Sequence, residues 1–278
     1  MNFSAYCQLD AVNASSLKAA SESAEEYQWA LTHPKADTPA MFKGRAIHCA
    51  VLEPDEFFRR YVLWPGPRTT KEYHAFIKTV PEGVEVLSSA DYDDCIGARN
   101  SVQSHPFAAG YLASGVFEHT LQWVDEETGL DCKARLDWLD LDCGWITDLK
   151  SSKDITPRSF ERTTHDLLYH LSAAHYTAGV KAVTGQDCGF RFIAVKQKGP
   201  WSVRCGPIAE DAIYCGEQER RRLLRLVADC TASGTWPGAY PDEDTFDLPA
   251  WFYAQGERAD AAEIKILEGL APRDGARL

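Results

Sequence analysis

CKARLDWLDLDCGWITDLKSSKD, residues 132 to 154, is the stretch on which the fold turns. CKARLDWL and WITDLKS alternate with a period of two on either side of DCG, which predicts two antiparallel strands joined by a tight turn. An even loop centred between Asp142 and Cys143 sets Asp137 directly opposite Asp148. Lys150 and Arg135, each two residues away, are then expected on the same face. The other face would present Leu136, Trp138 and Leu149 to a core. Two facing carboxylates about 5 Å apart repel, and one pKa rises unless a cation sits between them. Oxygen donors in small number favour Mg²⁺ or Mn²⁺ over zinc, for which the cysteines and histidines have no suitable spacing. Such an ion polarises a phosphoryl oxygen and lowers the pKa of a bound water, and a neighbouring lysine orients or deprotonates that water. The same residues also fit a solvated strand face with Asp137 as an acid near the turn. What singles the pattern out is its strand–turn–strand setting with a helix after it.

Outward from the hairpin, GVFEHTLQWV and the turn DEETG complete a three-stranded antiparallel meander. Upstream, one helix is predicted over residues 15–31 and another over 42–61 with a break at Pro54. WPGPRTTKEYHAFIKTVPEG is loop-like at both ends, and a further helix ends before Pro106. Downstream, PRSFERTTHDLLYHLSAAHYTAGVKAV has apolar residues at helical spacing, GFRFIAVKQ and WSVRCGPI return to strand, and EDAIYCGEQERRRLLRLVADC is a long helix. Helices, meander, helix, strands and helix in that order predict a central sheet flanked by helices. We expect a single domain over 1–278: a helical part (1–110), a catalytic sheet with its helices (111–232) and a C-terminal extension (233–278).

The nine cysteines are odd in number and never form C-x-x-C, which argues against a disulfide framework and a zinc ribbon. The net charge of −12 repels nucleic acid on average, so DNA binding would need a local field. Residues 153–204 supply one candidate, with eight Lys and Arg against four Asp and Glu. No apolar run reaches membrane-spanning length, and the first residues lack the pattern of a secretory signal, so a cytoplasmic protein without membrane contact is expected.

Four segments together resemble the PD-(D/E)xK nuclease superfamily, and within it the RecE-type exonucleases (exodeoxyribonuclease VIII) and their phage relatives. GRAIHCAVLEPDEF (44–57) is similar to a G-x-x-x-H helix followed by an L-E-P turn, CKARLDWL to a K-x-R-x-D strand, and ITDLKSS to a D-x-K strand. YHLSAAHYTAG (169–179) is similar to a Y-H-x-Q-A-A-x-Y helix, with Ser172 where glutamine is usual. Weaker likeness runs from SSLK near the N-terminus to LPAW at 248–251. The resemblance implies an α/β fold of restriction-endonuclease type, a mixed sheet with an antiparallel meander between helices. It also implies a metal held by His48, Asp137, Asp148 and the Leu149 carbonyl, with Lys150 as the catalytic lysine. Glu118, on the neighbouring strand, stands where relatives often place an acid near the metal-bound water; parity leaves open whether it faces inward. Arg135, Lys133, Tyr176 and Lys153 are the expected DNA contacts. Read alone, His48 on an apolar helix also fits a packed histidine, and Arg220, Arg221, Arg222 and Arg225 fit a solvated helix face.

The implied activity is a Mg²⁺-dependent exonuclease, with Mn²⁺ as a substitute, acting on double-stranded DNA ends 5′ to 3′ and leaving single strands for recombination by annealing. Its implied partners are duplex ends, a single-strand annealing protein and further copies of the chain in a ring, and the implied location is cytoplasmic, for a bacterial or phage-encoded protein. An endonuclease or nuclease subunit of a repair complex, and a catalytically silent DNA-end-binding protein, are the alternatives. The spacing of Cys205, Cys215 and Cys230 predicts no iron–sulfur cluster.

Overall fold

The computed structural model describes residues 3–34, 36–240, 242–249 and 251–253. Contacts divide the chain into two units, Met1–Ala239 and Tyr240–Leu278, and everything below concerns the first. Of the expected C-terminal extension, residues beyond 253 lie outside the described residues.

The N-terminal part is helical: α1 (Phe3–Cys7), α2 (Ala14–Ala20), α3 (Ala24–Thr32), α4 (Pro39–Leu52) and α5 (Pro54–Arg60). The helix predicted over 15–31 is two helices. Asn13 accepts from the Ser16 N–H at 2.9 Å while Ser16 Oγ accepts from the Asn13 N–H at 3.0 Å, a reciprocal cap that starts α2. Ser23 then recaps the chain by accepting from the Glu26 N–H at 3.0 Å, which starts α3. Thr38 and Pro39 open α4, and Pro54 separates α4 from α5 as expected.

Two four-residue strands, β1 (Tyr61–Trp64) and β2 (Glu85–Ser88), pair in parallel around α6 (Lys71–Ile77), inside and beside the stretch read as loop. After α7 (Ser89–Ser104) and α8 (Pro106–Tyr111) come the meander strands β3 (Val116–Val124), β4 (Asp131–Asp140) and β5 (Trp145–Ser152). The chain crosses over through α9 (Pro157–Asp166) and α10 (Tyr169–Thr184), pairs β6 (Gly189–Lys196) parallel to β5, adds β7 (Val203–Pro207) antiparallel to β6, and ends in α11 (Glu210–Ser233). A parallel neighbour requires such a crossover. The sheet order is β3-β4-β5-β6-β7, a mixed sheet between helical layers as a PD-(D/E)xK-like α/β fold requires.

Each sheet face has its own core. On one side Leu136, Leu139, Ile146, Phe190 and Phe192 pack with Leu17 of α2, Leu171 of α10 and Leu223 and Leu224 of α11. On the other, Leu149, Ile193 and Val195 pack with Ile47 of α4, Phe57 of α5 and Ala98 of α7. Each fully buried Leu or Ile contributes roughly 1.5–3 kcal/mol. The second core fixes α4 against the sheet. Lys43 ties α4 to α7 through Asp91 at 3.2 Å and Asp94 at 2.5 Å, and Asp94 also accepts from Trp201 Nε1 at 2.8 Å.

Candidate active site

The β4–β5 register pairs Trp138 with Thr147 and Leu139 with Ile146. Continued by one step it sets Asp137 against Asp148, as the even loop predicts, but the backbone ladder stops at Trp138. Here the strands fork. The Asp137 carboxylate fills the fork by accepting from the Leu149 N–H at 2.8 Å. A second irregularity coincides with it. The β3–β4 register pairs Phe117 with Trp138 and His119 with Leu136, skipping Glu118 and Asp137, and Glu118 has φ of 50°, a conformation that does not fit a regular ladder. The alternation resets at this kink. Leu136 and Leu139 therefore share one core, while Trp138 packs with Leu149 on the other. This corrects the expectation that Leu136, Trp138 and Leu149 line a single face.

Residues from α4, β3 and α10, together with Lys150 of β5 itself, reach the fork. From α4, His48 Nδ1 lies 3.7 Å from Asp137 Oδ2. From β3, Glu118 binds Arg135, whose Nη1 also donates to Thr120 Oγ1 at 3.4 Å. From β5, the Lys150 ammonium contacts Asp148, which is 3% exposed. From α10, the Tyr169 ring has its centroid 4.8 Å from Lys150 Nζ.

The electrostatics follow from burial and crowding. Burial, then the Asp148 carboxylate, push the Asp137 carboxyl up to about 8. Burial, then the Lys150 ammonium, press His48 down to about 4. At neutral pH the His48–Asp137 contact therefore joins a neutral imidazole to a protonated carboxyl, and is no ion pair. Burial opposes the charge on Lys150, but Asp148 and Asp137 outweigh it and hold the lysine well above its usual range. Lys150 is thus a fixed cation. The phenol of Tyr176 is raised well above the tyrosine range by burial, then by Asp148 and Asp137.

The residues expected to touch DNA separate. Tyr176 packs against the Phe190 ring in the first core, Arg135 is engaged by Glu118, and Lys153 is exposed just beyond β5. Lys133 lies elsewhere: it is 4% exposed and donates to the carbonyls of Leu9 at 2.6 Å and Tyr6 at 3.1 Å, tying the N-terminal segment to β4. A lysine on the β4 face opposite Ala134 and Leu136 reads as a surface cation only while the segment covering it goes unnoticed. The arginine run of α11 is consumed by acids: Arg220 by Asp125 and Glu217, Arg221 and Arg225 by Glu127, and Arg222 by Glu219. Two residues at the site went unassigned in the sequence. Tyr169 opens the helix similar to Y-H-x-Q-A-A-x-Y but carried no role there, and Lys18 of α2 lies far away in sequence, yet its Nζ stands 5.2 Å from the same Tyr169 ring centroid. The SSLK likeness was the one signal that pointed to that segment.

The donor chemistry suits a hard divalent cation. Asp137, Asp148 and the Leu149 carbonyl offer oxygen, His48 offers a neutral nitrogen, and buried Asp148 Oδ2 makes no directed hydrogen bond even though the lysine is in contact with it. In this arrangement the proton on Asp137 and the Lys150 ammonium offset the carboxylate charge. Among the described residues, no three His, Cys, Asp or Glu side chains are drawn together tightly enough to hold a metal ion. Holding one at this fork would require release of the Asp137 proton and movement of the Lys150 ammonium away from Asp148.

A sheet forked at two acids with a lysine beside them defines the chain as a PD-(D/E)xK-like α/β protein. Residues 13–242 match the family described as PDDEXK-like domain of unknown function (DUF3799), and the chain belongs to that family. It is similar in fold to a crystal structure described as "Putative exonuclease" from Eubacterium rectale, with a TM-score of 0.60 and 14% identity over 89% of this chain and 93% of that one. No curated protein matches the sequence. Among the described residues, no helix is long and apolar enough to cross a membrane.

Proposed function

We propose that the chain is a Mg²⁺-dependent deoxyribonuclease that degrades duplex DNA from its ends, 5′ to 3′, leaving single strands for annealing. The observation that carries this reading is the meeting of Asp137, Asp148, Lys150 and His48 at one fork in a PD-(D/E)xK-like sheet. The name of the structurally similar protein supports the end-dependent form over an endonuclease. Asp137, Asp148, His48 and the Leu149 carbonyl would hold the ion, which supplies a polarised phosphoryl oxygen and an acidified water. Lys150, kept charged by its acidic neighbours, donates to the phosphate oxygens as negative charge builds on them. Glu118, tethered by Arg135, orients the attacking water by accepting from it. A homo-oligomeric ring and a single-strand annealing partner belong to the same proposal.

End-labelled linear duplex incubated with the protein and Mg²⁺ should be digested from its ends, and Lys150→Ala should slow this by roughly 10²–10⁴-fold, as expected on losing a positioned catalytic group. Cleavage of covalently closed circles at the same rate would assign an endonuclease instead. Duplex binding with no turnover would assign an end-binding protein, and digestion unchanged in Lys150→Ala would overturn the site.

A further inference from the structure

Among the described residues, Lys18 is a cation at this site with no acid within ion-pair distance. Its helix is held firmly: Asn13 and Ser16 cap α2, and Leu17, one residue away, is fully buried in the core that α10 and α11 share. The Lys18 stem runs from there to the Tyr169 ring, 5.2 Å from its centroid, where Lys150 Nζ lies at 4.8 Å. Lys150 is answered by Asp148. Among the described residues Lys18 Nζ makes no hydrogen bond or ion pair, and a cation–π contact of about 0.5–2 kcal/mol is a weak substitute for an anion. Burial, then repulsion from Lys150, press its pKa down to about 8, with Asp148 offsetting part of this. Two ammonium groups crowded on one aromatic ring, only one of them paired, leave positive charge that a phosphodiester would neutralise.

We propose that Lys18 is a substrate-positioning residue, whose ammonium binds a phosphate of the DNA strand next to the phosphate held over Lys150, with Tyr169 as the spacer between the two. The inference rests on the nuclease reading for the identity of the anion. It makes α2 part of the substrate groove, joined to the hairpin through α10.

The test uses the full chain with Lys18→Met, which keeps the apolar stem, and Lys18→Arg, which keeps the charge. Digestion of linear duplex gives KM and kcat. Duplex affinity as a function of salt, measured in a Lys150→Ala background, is read without turnover. Lys18→Met should raise KM about tenfold or more, as loss of a charged hydrogen bond implies. It should also make the slope of log affinity against log salt shallower by about 0.9, one phosphate contact. Lys18→Arg should restore both, and the thermal midpoint should stay near that of the parent. An unchanged slope in Lys18→Met overturns the inference, whether KM stays constant or rises together with a loss of stability. If the parent protein digests nothing, the nuclease reading fails, yet the slope still reports on Lys18.

Discussion

Asp137 has two roles that pull against each other: it caps the Leu149 amide, and it shares a buried fork with Asp148. Its carboxyl is raised from the ordinary range to about 8. In the unfolded chain the group ionises near pH 4, whereas the folded protein keeps the proton until about 8, so in the absence of metal stability falls as pH rises through that window. Asp137→Asn keeps an acceptor for Leu149 and removes the titration. Its thermal midpoint should match the parent near pH 4 and exceed it at pH 8, by more than ~1 kcal/mol in unfolding free energy; equal melting curves at both pH values would refute a protonated Asp137. The same proton gives a second prediction. Mg²⁺ or Mn²⁺ binding at neutral pH should release about one proton, seen in calorimetry as a binding heat that varies with the buffer's ionisation enthalpy, and Asp137→Asn should abolish that variation. The acids and the lysine were legible as residues because a fixed spacing on a hairpin brings them together. Their protonation was not legible, since it depends on burial by α4 and α10, which sequence spacing does not contain.

At the level of elements, period and punctuation located nearly every strand of the main sheet, and Pro54 and Pro106 ended helices as expected. The failures share a cause. Residues 15–31 and 157–183 were each read as one helix because apolar spacing continues across a break, but Ser23 recaps the first and Leu168, at φ 49°, interrupts the second. The second break starts α10 at Tyr169, next to Lys150, and so decides a site residue. Four-residue β1 and β2 are too short for alternation to register, and Lys133 was misplaced because nothing local to β4 announces that α1 covers it. The hold of α10 on the site depends on close packing against α11. A Cβ at Gly216 would stand 2.2 Å from the His170 carbonyl oxygen, a backbone atom that cannot swing aside. Gly216→Ala should therefore cost about 1–3 kcal/mol, lowering the urea midpoint at unchanged slope, and should reduce activity by displacing Tyr169. A midpoint within error of the parent would show that the two helices are free to shift.

Across the whole molecule, a net charge of −12 is reconciled with a DNA substrate only if the positive field is local. The arginines of α11 do not supply it, being paired with acids, whereas Lys150 and Lys18 share the Tyr169 ring and Lys153 is exposed just beyond β5. An acidic exterior around such a patch discourages binding elsewhere. The measurement that bears most directly on the account is the anomalous diffraction of crystals soaked in Mn²⁺. One strong peak is expected in the β4–β5 fork, bonded to Asp137, Asp148, His48 and the Leu149 carbonyl, with Lys150 withdrawn from Asp148. Manganese bound away from the fork, or no peak at concentrations that saturate ordinary carboxylate sites, would contradict it.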